Sequence, residues 1–223
     1  MALKLGEKIL KDIYLGDKRI VKAYFGKKLV FEADKPIFVE WIESDGKCWI
    51  DMETLLNQNH KVSVTARIVN NSKVQILFGH ILVNNKAVSI SCGNVVANSR
   101  FSNASYSANL FRSSTKPVTY TIDKTGITID DEFIGWTTTP ADFQLTESAF
   151  LLGNRAVNMS DANNRPAAGT RIYGSQTYEN NTLIQHLKPC IHPRTFKACM
   201  YDMVEGKYFY NQGTGEFKYG GLV

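Results

Sequence analysis

The sequence predicts an all-β protein, an antiparallel β-sandwich (jelly roll) over residues 37–223 preceded by a short β-repeat segment over residues 1–36. Three observations carry this. Short β-prone runs separated by turn residues recur along the chain. One of them, His60–Val69, alternates strictly, with Val62, Val64, Ala66 and Ile68 apolar. No stretch has a convincing helical pattern. Period-two alternation buries one face of a strand and wets the other, and many short strands with regular turns mark a two-layer sheet domain.

The first segment is a repeat with a period of ten residues. Leu5-Gly6 opens a unit ending at Tyr14, Leu15-Gly16 opens one ending at Tyr24, and Phe25-Gly26 opens a third. Each unit is an apolar residue, a glycine, a polar pair and a short β-prone run, the pattern of small strands joined by glycine-containing turns. A helix over Leu3–Tyr24 is the competing pattern, but each interior glycine costs a helix about 1 kcal/mol relative to alanine. Units this small need neighbours to bury a face. Leu5, Gly6, Tyr14, Leu15, Gly16, Tyr24, Phe25 and Gly26 are therefore the candidate assembly residues, and Pro36 marks the boundary with the main domain.

In the main domain, Ile37–Glu43 and Cys48–Asp51 flank Ser44-Asp-Gly46, which predicts an opening hairpin with glycine supplying a positive φ. The strand at His60–Val69 and a second from Val74 to Gly79 follow. Val118–Ile122, a turn at Asp123-Lys-Thr-Gly126 and Ile127–Asp130 form the clearest hairpin. Phe133–Trp136 is β-prone, Phe150–Arg155 reads as a buried strand, and Thr170–Tyr173 begins another. Asn-Asn pairs at 70–71, 84–85, 163–164 and 180–181 read as turns, because asparagine tolerates the left-handed conformation. From Leu183 to Tyr210 the chain reads as returning strands that complete a sheet.

Composition excludes several classes. Of 223 residues, 43% are hydrophobic and 21% charged, which favours a globular domain over disorder. No apolar run reaches the length of a spanning helix, so no membrane insertion is expected. Met1–Lys8 lacks the apolar core of a signal peptide, so synthesis in a cytoplasm is the expectation. The net charge of +5 is concentrated in the first 28 residues, on Lys4, Lys8, Lys11, Lys18, Arg19, Lys22, Lys27 and Lys28. These fall where outward positions of short strands should be solvated, so no nucleic-acid partner is expected. Cys48, Cys92, Cys190 and Cys199 have no metal-ligand spacing. They read as buried free thiols, with a Cys190–Cys199 bridge as the alternative.

Several stretches resemble a known family. Val39-Glu-Trp-Ile-Glu-Ser-Asp-Gly-Lys-Cys-Trp-Ile-Asp51 is similar to the opening of the concanavalin A-like, laminin-G-like sandwiches of phage tail-region proteins. Phe150–Arg155, Gly169–Tyr173 and Leu183–Cys190 resemble later strands of that family, and Met200–Gly215 resembles its closing motif. The ten-residue repeat is similar to the adaptor segments that precede such domains. Asn98–Lys116 has no counterpart in the pattern. The resemblance implies a phage virion protein, a tail, fibre or capsid appendage made in the host cytoplasm and carried on the particle. Its implied partners are other virion proteins, further copies of itself (trimers are common for such fibres) and host cell-surface polysaccharide. A purely structural decoration protein and a glycoside hydrolase are the alternatives.

Hydrolases of this fold carry E-x-D-x-x-E on one strand, so that alternate carboxylates face the cleft, and this chain has no such motif. Asp130-Asp-Glu132 reads as a solvated strand end. His60, His80, His186 and His192 lie in no nucleophile motif, so no catalytic residue is assigned. No cofactor is expected. Calcium would suit the fold, but the loop at Asp161-Ala-Asn163 offers few of the six or more oxygens it needs. Glycan binding requires an aromatic platform with planar polar side chains beside it. The loop Asn98–Arg112 has that composition, which makes Arg100, Tyr106 and Arg112, with Trp136 and Arg155, the candidate ligand-binding residues.

Overall fold

The computed structural model describes residues 4–5, 8–9, 13–15, 18–20, 22–25, 28–32, 35–69, 74–81, 87–92, 97–153, 155–156 and 168–223. None of these is helical. The repeat forms three separate two-stranded antiparallel sheets: β1 (Lys4–Leu5) with β2 (Lys8–Ile9), β3 (Ile13–Leu15) with β4 (Lys18–Ile20), and β5 (Lys22–Phe25) with β6 (Lys28–Glu32). The innermost pairs Leu5↔Lys8, Leu15↔Lys18 and Phe25↔Lys28 leave two residues between strands, the shortest hairpin spacing. Of the candidate assembly residues, Leu5, Tyr14, Leu15, Tyr24 and Phe25 sit in these strands. Gly6, Gly16 and Gly26 lie outside the described residues.

The sandwich strands follow in order. They are β7 (Ile37–Phe38), β8 (Ile42–Ser44), β9 (Ile50–Asp51), β10 (His60–Ile68), β11 (Gln75–Ile81), β12 (Ala87–Cys92), β13 (Ala97–Ser102), β14 (Ala104–Ala108) and β15 (Val118–Ile122). Then come β16 (Gly126–Ile129), β17 (Glu132–Gly135), β18 (Phe150–Leu151), β19 (Arg155–Ala156), β20 (Thr170–Glu179), β21 (Thr182–Ile191), β22 (Ala198–Asp202), β23 (Lys207–Phe209) and β24 (Lys218–Tyr219). The larger sheet runs β17-β16-β15-β10-β20-β21-β22-β23, with β7 pairing β21, β8 pairing β20 and β24 pairing β8. The smaller sheet runs β14-β13-β12-β11-β18-β9, and β19 joins it parallel to β11. All other pairs are antiparallel.

The core lies between these sheets. From β10 it takes Val62, Val64, Ala66 and Ile68, as the alternation predicts, and from the smaller sheet Leu77, Phe78, Val88, Ile90 and Phe101. Full burial of each larger side chain contributes roughly 1.5–3 kcal/mol, so the central strand alone is a major source of stability. The β15–β16 hairpin forms as predicted, with Ile122↔Ile127 closing a turn in which the Asp123 N–H bonds the Gly126 carbonyl at 3.1 Å. Asn180 and Asn181 have φ of 48° and 64° and join β20 to β21, the left-handed turn expected of that pair. The pairs at 70–71, 84–85 and 163–164, and the loop at Asp161–Asn163, lie outside the described residues.

Three expectations are corrected. The opening segment is not a hairpin: β8 pairs with β20 and β24 in the larger sheet, whereas β9 pairs with β18 in the smaller one. The turn between them carries the chain across the sandwich. Gly46 has the positive φ its position demands, at 91°, and the Ser44 hydroxyl, donating to the Cys48 carbonyl at 2.9 Å, holds the crossing. Phe150–Arg155 is broken into two short strands by Leu152, which has a φ of 63°. Asn98–Arg112 is not a loop but largely the β13–β14 hairpin at an edge of the smaller sheet, turning at Ser102, whose φ is 57°, and Asn103. All four cysteines are free and buried, Cys190 and Cys199 being cross-strand partners with their sulfurs 3.4 Å apart.

The C-terminal segment closes over the crossing turn. Asn211 Oδ1 accepts the N–H groups of Trp49 and Gly213, and Asn211 Nδ2 donates to the carbonyls of Gly213 and Gly215. A methyl group at Gly213 would meet the Lys47 carbonyl and stand 2.6 Å from the Trp49 ring. Gly213→Ala is therefore expected to destabilise the fold by at least about 2 kcal/mol in urea unfolding. Gly221→Ala, whose methyl would meet only the Glu40 carboxyl at ordinary contact distance, is expected to leave the midpoint nearly unchanged.

Candidate functional site

Alternation that sends Val62 and Val64 inward sends Ser63 and Thr65 to the outer face of the larger sheet. Ser63 bonds Thr121 at 2.6 Å and Thr65 bonds Thr119 at 2.9 Å, a hydroxyl ladder across β10 and β15. On the other flank, β20 and β21 contribute Gln176, His186 and Lys188. A bulge opposite Thr65 and Ala66 inserts Tyr173 as the extra residue of β20. Bulges re-aim side chains, and here the tyrosine joins the outer face. Together these residues line a shallow cleft of about 280 Å3.

The cleft continues into an aromatic strip. Lys188, Tyr201 and Tyr208 are direct cross-strand neighbours on β21, β22 and β23. Tyr201 and Tyr208 meet edge-on at 4.9 Å between ring centres, and Tyr208 and Tyr210 stack at 6.1 Å with 23° between planes. The His192 ring lies 4.6 Å from Tyr208 and 5.9 Å from Tyr210, and Phe38 closes the strip against Tyr201 at 6.2 Å. Tyr210 is 42% exposed, so part of this surface is available to a ligand. The buried thiols of Cys190 and Cys199 lie on the same sheet face, two register positions from Lys188 and Tyr201.

Lys188 is the one lysine or arginine lining the cleft among the described residues. Burial, followed by the neighbouring Cys190 and Cys199, pushes the Tyr208 phenol well above its ordinary value, and Tyr210 shifts the same way. Both hydroxyls remain protonated donors. Desolvation, then the Lys188 charge, holds His186 below the ordinary imidazole value. His192 Nδ1 accepts the N–H groups of Arg194 and Thr195, which leaves its Nε2 as a donor when the ring is neutral. No carboxylate lines the cleft among the described residues. Hydroxyls, an amide, imidazoles and flat rings suit the hydroxyls and the apolar faces of a sugar.

The structure places the sequence-predicted residues elsewhere. Ser99↔Tyr106 and Arg100↔Ser105 are direct pairs of one hairpin, so Tyr106 and Arg100 project from opposite faces. Tyr106 and Trp136 pack against the core, Trp136 donating from Nε1 to the Asp123 carbonyl at 2.9 Å and stacking on Phe101. Arg112 pairs with Glu132 at 2.9 Å. Arg155 lies in β19 beside His80, which is fully buried. Asp130 and Asp131 form the exposed turn between β16 and β17. Sequence reasoning missed Tyr201, Tyr208 and Tyr210, reading them as sheet completion. The available signal was the alternation Lys207-Tyr-Phe-Tyr210, in which the two tyrosines share a face opposite the buried Phe209.

His60, beneath the rim of the sandwich, is also held below its ordinary value, mainly by desolvation, and its Nδ1 accepts the Asn57 N–H. For both His60 and His186 the folded state binds its proton later than the unfolded chain as pH falls. Their stabilisation is present above about pH 6.5 and is lost below it, as pH falls toward the folded values. The urea midpoint is expected to fall between about pH 7.5 and about pH 5.5, and the fall should be smaller in His186→Gln. No protein-family model and no curated protein matches this chain.

Proposed function

We propose that this chain is a non-enzymatic phage virion component, a tail, fibre or capsid appendage, whose sandwich binds host surface polysaccharide through the outer face of its larger sheet. The observation that carries the binding role is the continuous surface from the hydroxyl-lined cleft to the strip of Tyr201, Tyr208 and Tyr210. The assignment to a virion rests on the resemblance of the repeat and of the closing Met200–Gly215 motif to phage proteins, and the hairpin organisation of the repeat suits an adaptor. A single shallow cleft of this size binds weakly, so display in several copies would supply avidity.

Two experiments test this reading. On a polysaccharide array the full chain is expected to bind at least one bacterial surface glycan, and Tyr208→Ala combined with Tyr210→Ala to weaken it by about tenfold. Absence of binding to any glycan would favour a structural decoration protein, and release of reducing ends from a bound polysaccharide would overturn the non-enzymatic reading. By light scattering, the full chain is expected to be oligomeric and a chain beginning at Lys35 monomeric. Two monomers would make the repeat a docking element for another virion protein.

A further inference from the structure

Adjacent residues of β21 face opposite ways, so while His186 looks outward, Gln185 looks into the sandwich. There, at one end of the two sheets, the apolar core gives way to a groove of about 620 Å3. Two of its lining side chains are buried acceptors with a spare oxygen. Asp202 is fully buried; its Oδ1 accepts the His186 and Val204 N–H groups at 2.8 and 3.0 Å, and its Oδ2 has no partner. Gln185 is 5% exposed; its Nε2 donates to the Met52 carbonyl at 2.8 Å, and its Oε1 has no partner. Leaving such a group unsatisfied is unfavourable, and more so when it is charged.

The groove is acidic although the chain is basic overall. Glu53, Glu179 and Glu205 line it with Asp202, against the single lysine Lys207, which is ion-paired with Glu53. Such a lining calls for a cationic donor. An organic cation matches it, because the groove offers both buried oxygens for an ammonium and room for the rest of a small molecule. The volume falls in the range of small-molecule sites and exceeds what one lysine or arginine side chain fills. Asn57 and Gln144 add planar amides to the lining, the groups that read sugar hydroxyls.

We propose that this groove is a second binding site, for a sugar carrying a free, protonated amine. The ammonium donates to Asp202 Oδ2 and Gln185 Oε1, and Glu205 adds to the negative field at the mouth. The site is separate from the outer face, so it does not rest on the reading of the tyrosine strip.

The test is calorimetric titration of the full chain, at about pH 6 where the sugar amine is protonated, with a fully deacetylated glucosamine trisaccharide and with its N-acetylated counterpart. The deacetylated sugar is expected to bind at least about tenfold more tightly. Asp202→Asn retains an oxygen for the two backbone N–H groups but places a donor where Oδ2 stood, and should weaken binding by about tenfold or more. Glu205→Gln, at an exposed position that leaves folding intact, should weaken it by a few fold, and Tyr208→Ala should leave it unchanged. Equal binding of the two sugars, no binding, or indifference to both Asp202→Asn and Glu205→Gln would overturn the proposal. Saturable binding of calcium or of an arginine-rich peptide at this groove in place of the amino sugar would overturn the ligand class.

Discussion

The sandwich depends on how the first of its several crossings between the sheets is held. At Ser44–Cys48 the chain leaves the larger sheet and enters the smaller, and a short turn would not by itself hold two sheets in register. The Asn211 side chain supplies the missing constraint. Its amide makes four hydrogen bonds, two accepted and two donated, to Trp49, Gly213 and Gly215, which is the full capacity of the group. The last strands are thereby tied to the first, across 162 residues of sequence. Gly213 is needed because its backbone packs directly against the Lys47 carbonyl and the Trp49 ring, leaving no space for a side chain, and a methyl group at Gly215 would stand 2.5 Å from the Asp45 carboxylate.

Once the crossing is fixed, β20 and β21 become walls shared by two different surfaces. Their inward row places Ile172 and Leu187 in the core and then, toward one end, Thr177 and Gln185. Asp202 continues this change on β22. Their outward row presents Gln176, His186 and Lys188 to solvent beside the tyrosines. A period-two strand makes this economy available, because neighbouring residues see different environments at no cost in chain length. The cost falls on the core end, where buried oxygens of Asp202 and Gln185 lack donors within the chain.

The two surfaces differ in electrostatic character for the same geometric reason. The outer face carries no carboxylate in its cleft, and its histidine and phenols stay uncharged near neutral pH because burial and their neighbours favour the neutral forms. The groove at the rim collects acids from loops and strands that are distant in sequence, Glu53, Glu179 and Glu205 among them. A flat face whose cleft is lined by Lys188 and by no carboxylate among the described residues, and a concave acidic end, are suited to different ligands.

The sequence by itself determined the local structure. Alternation at Val62–Ile68 set the central strand and its buried face, the asparagine pair at 180–181 set a left-handed turn, and the ten-residue repeat set its three hairpins. These are properties of neighbouring residues, and short-range sterics and polarity are written in a few consecutive positions. What the sequence did not reveal was pairing between distant segments. It suggested that Ile37–Glu43 pairs with Cys48–Asp51, where the structure sends them to opposite sheets, and it placed the aromatic platform around Tyr106 and Trp136, which the fold uses to cover the core. Only tertiary structure brings Lys188, Tyr201, Tyr208 and His192 together on one face, or aims Gln185 and Asp202 into one groove. Such convergence depends on strand order and register, and these are decided by the packing of the whole sandwich.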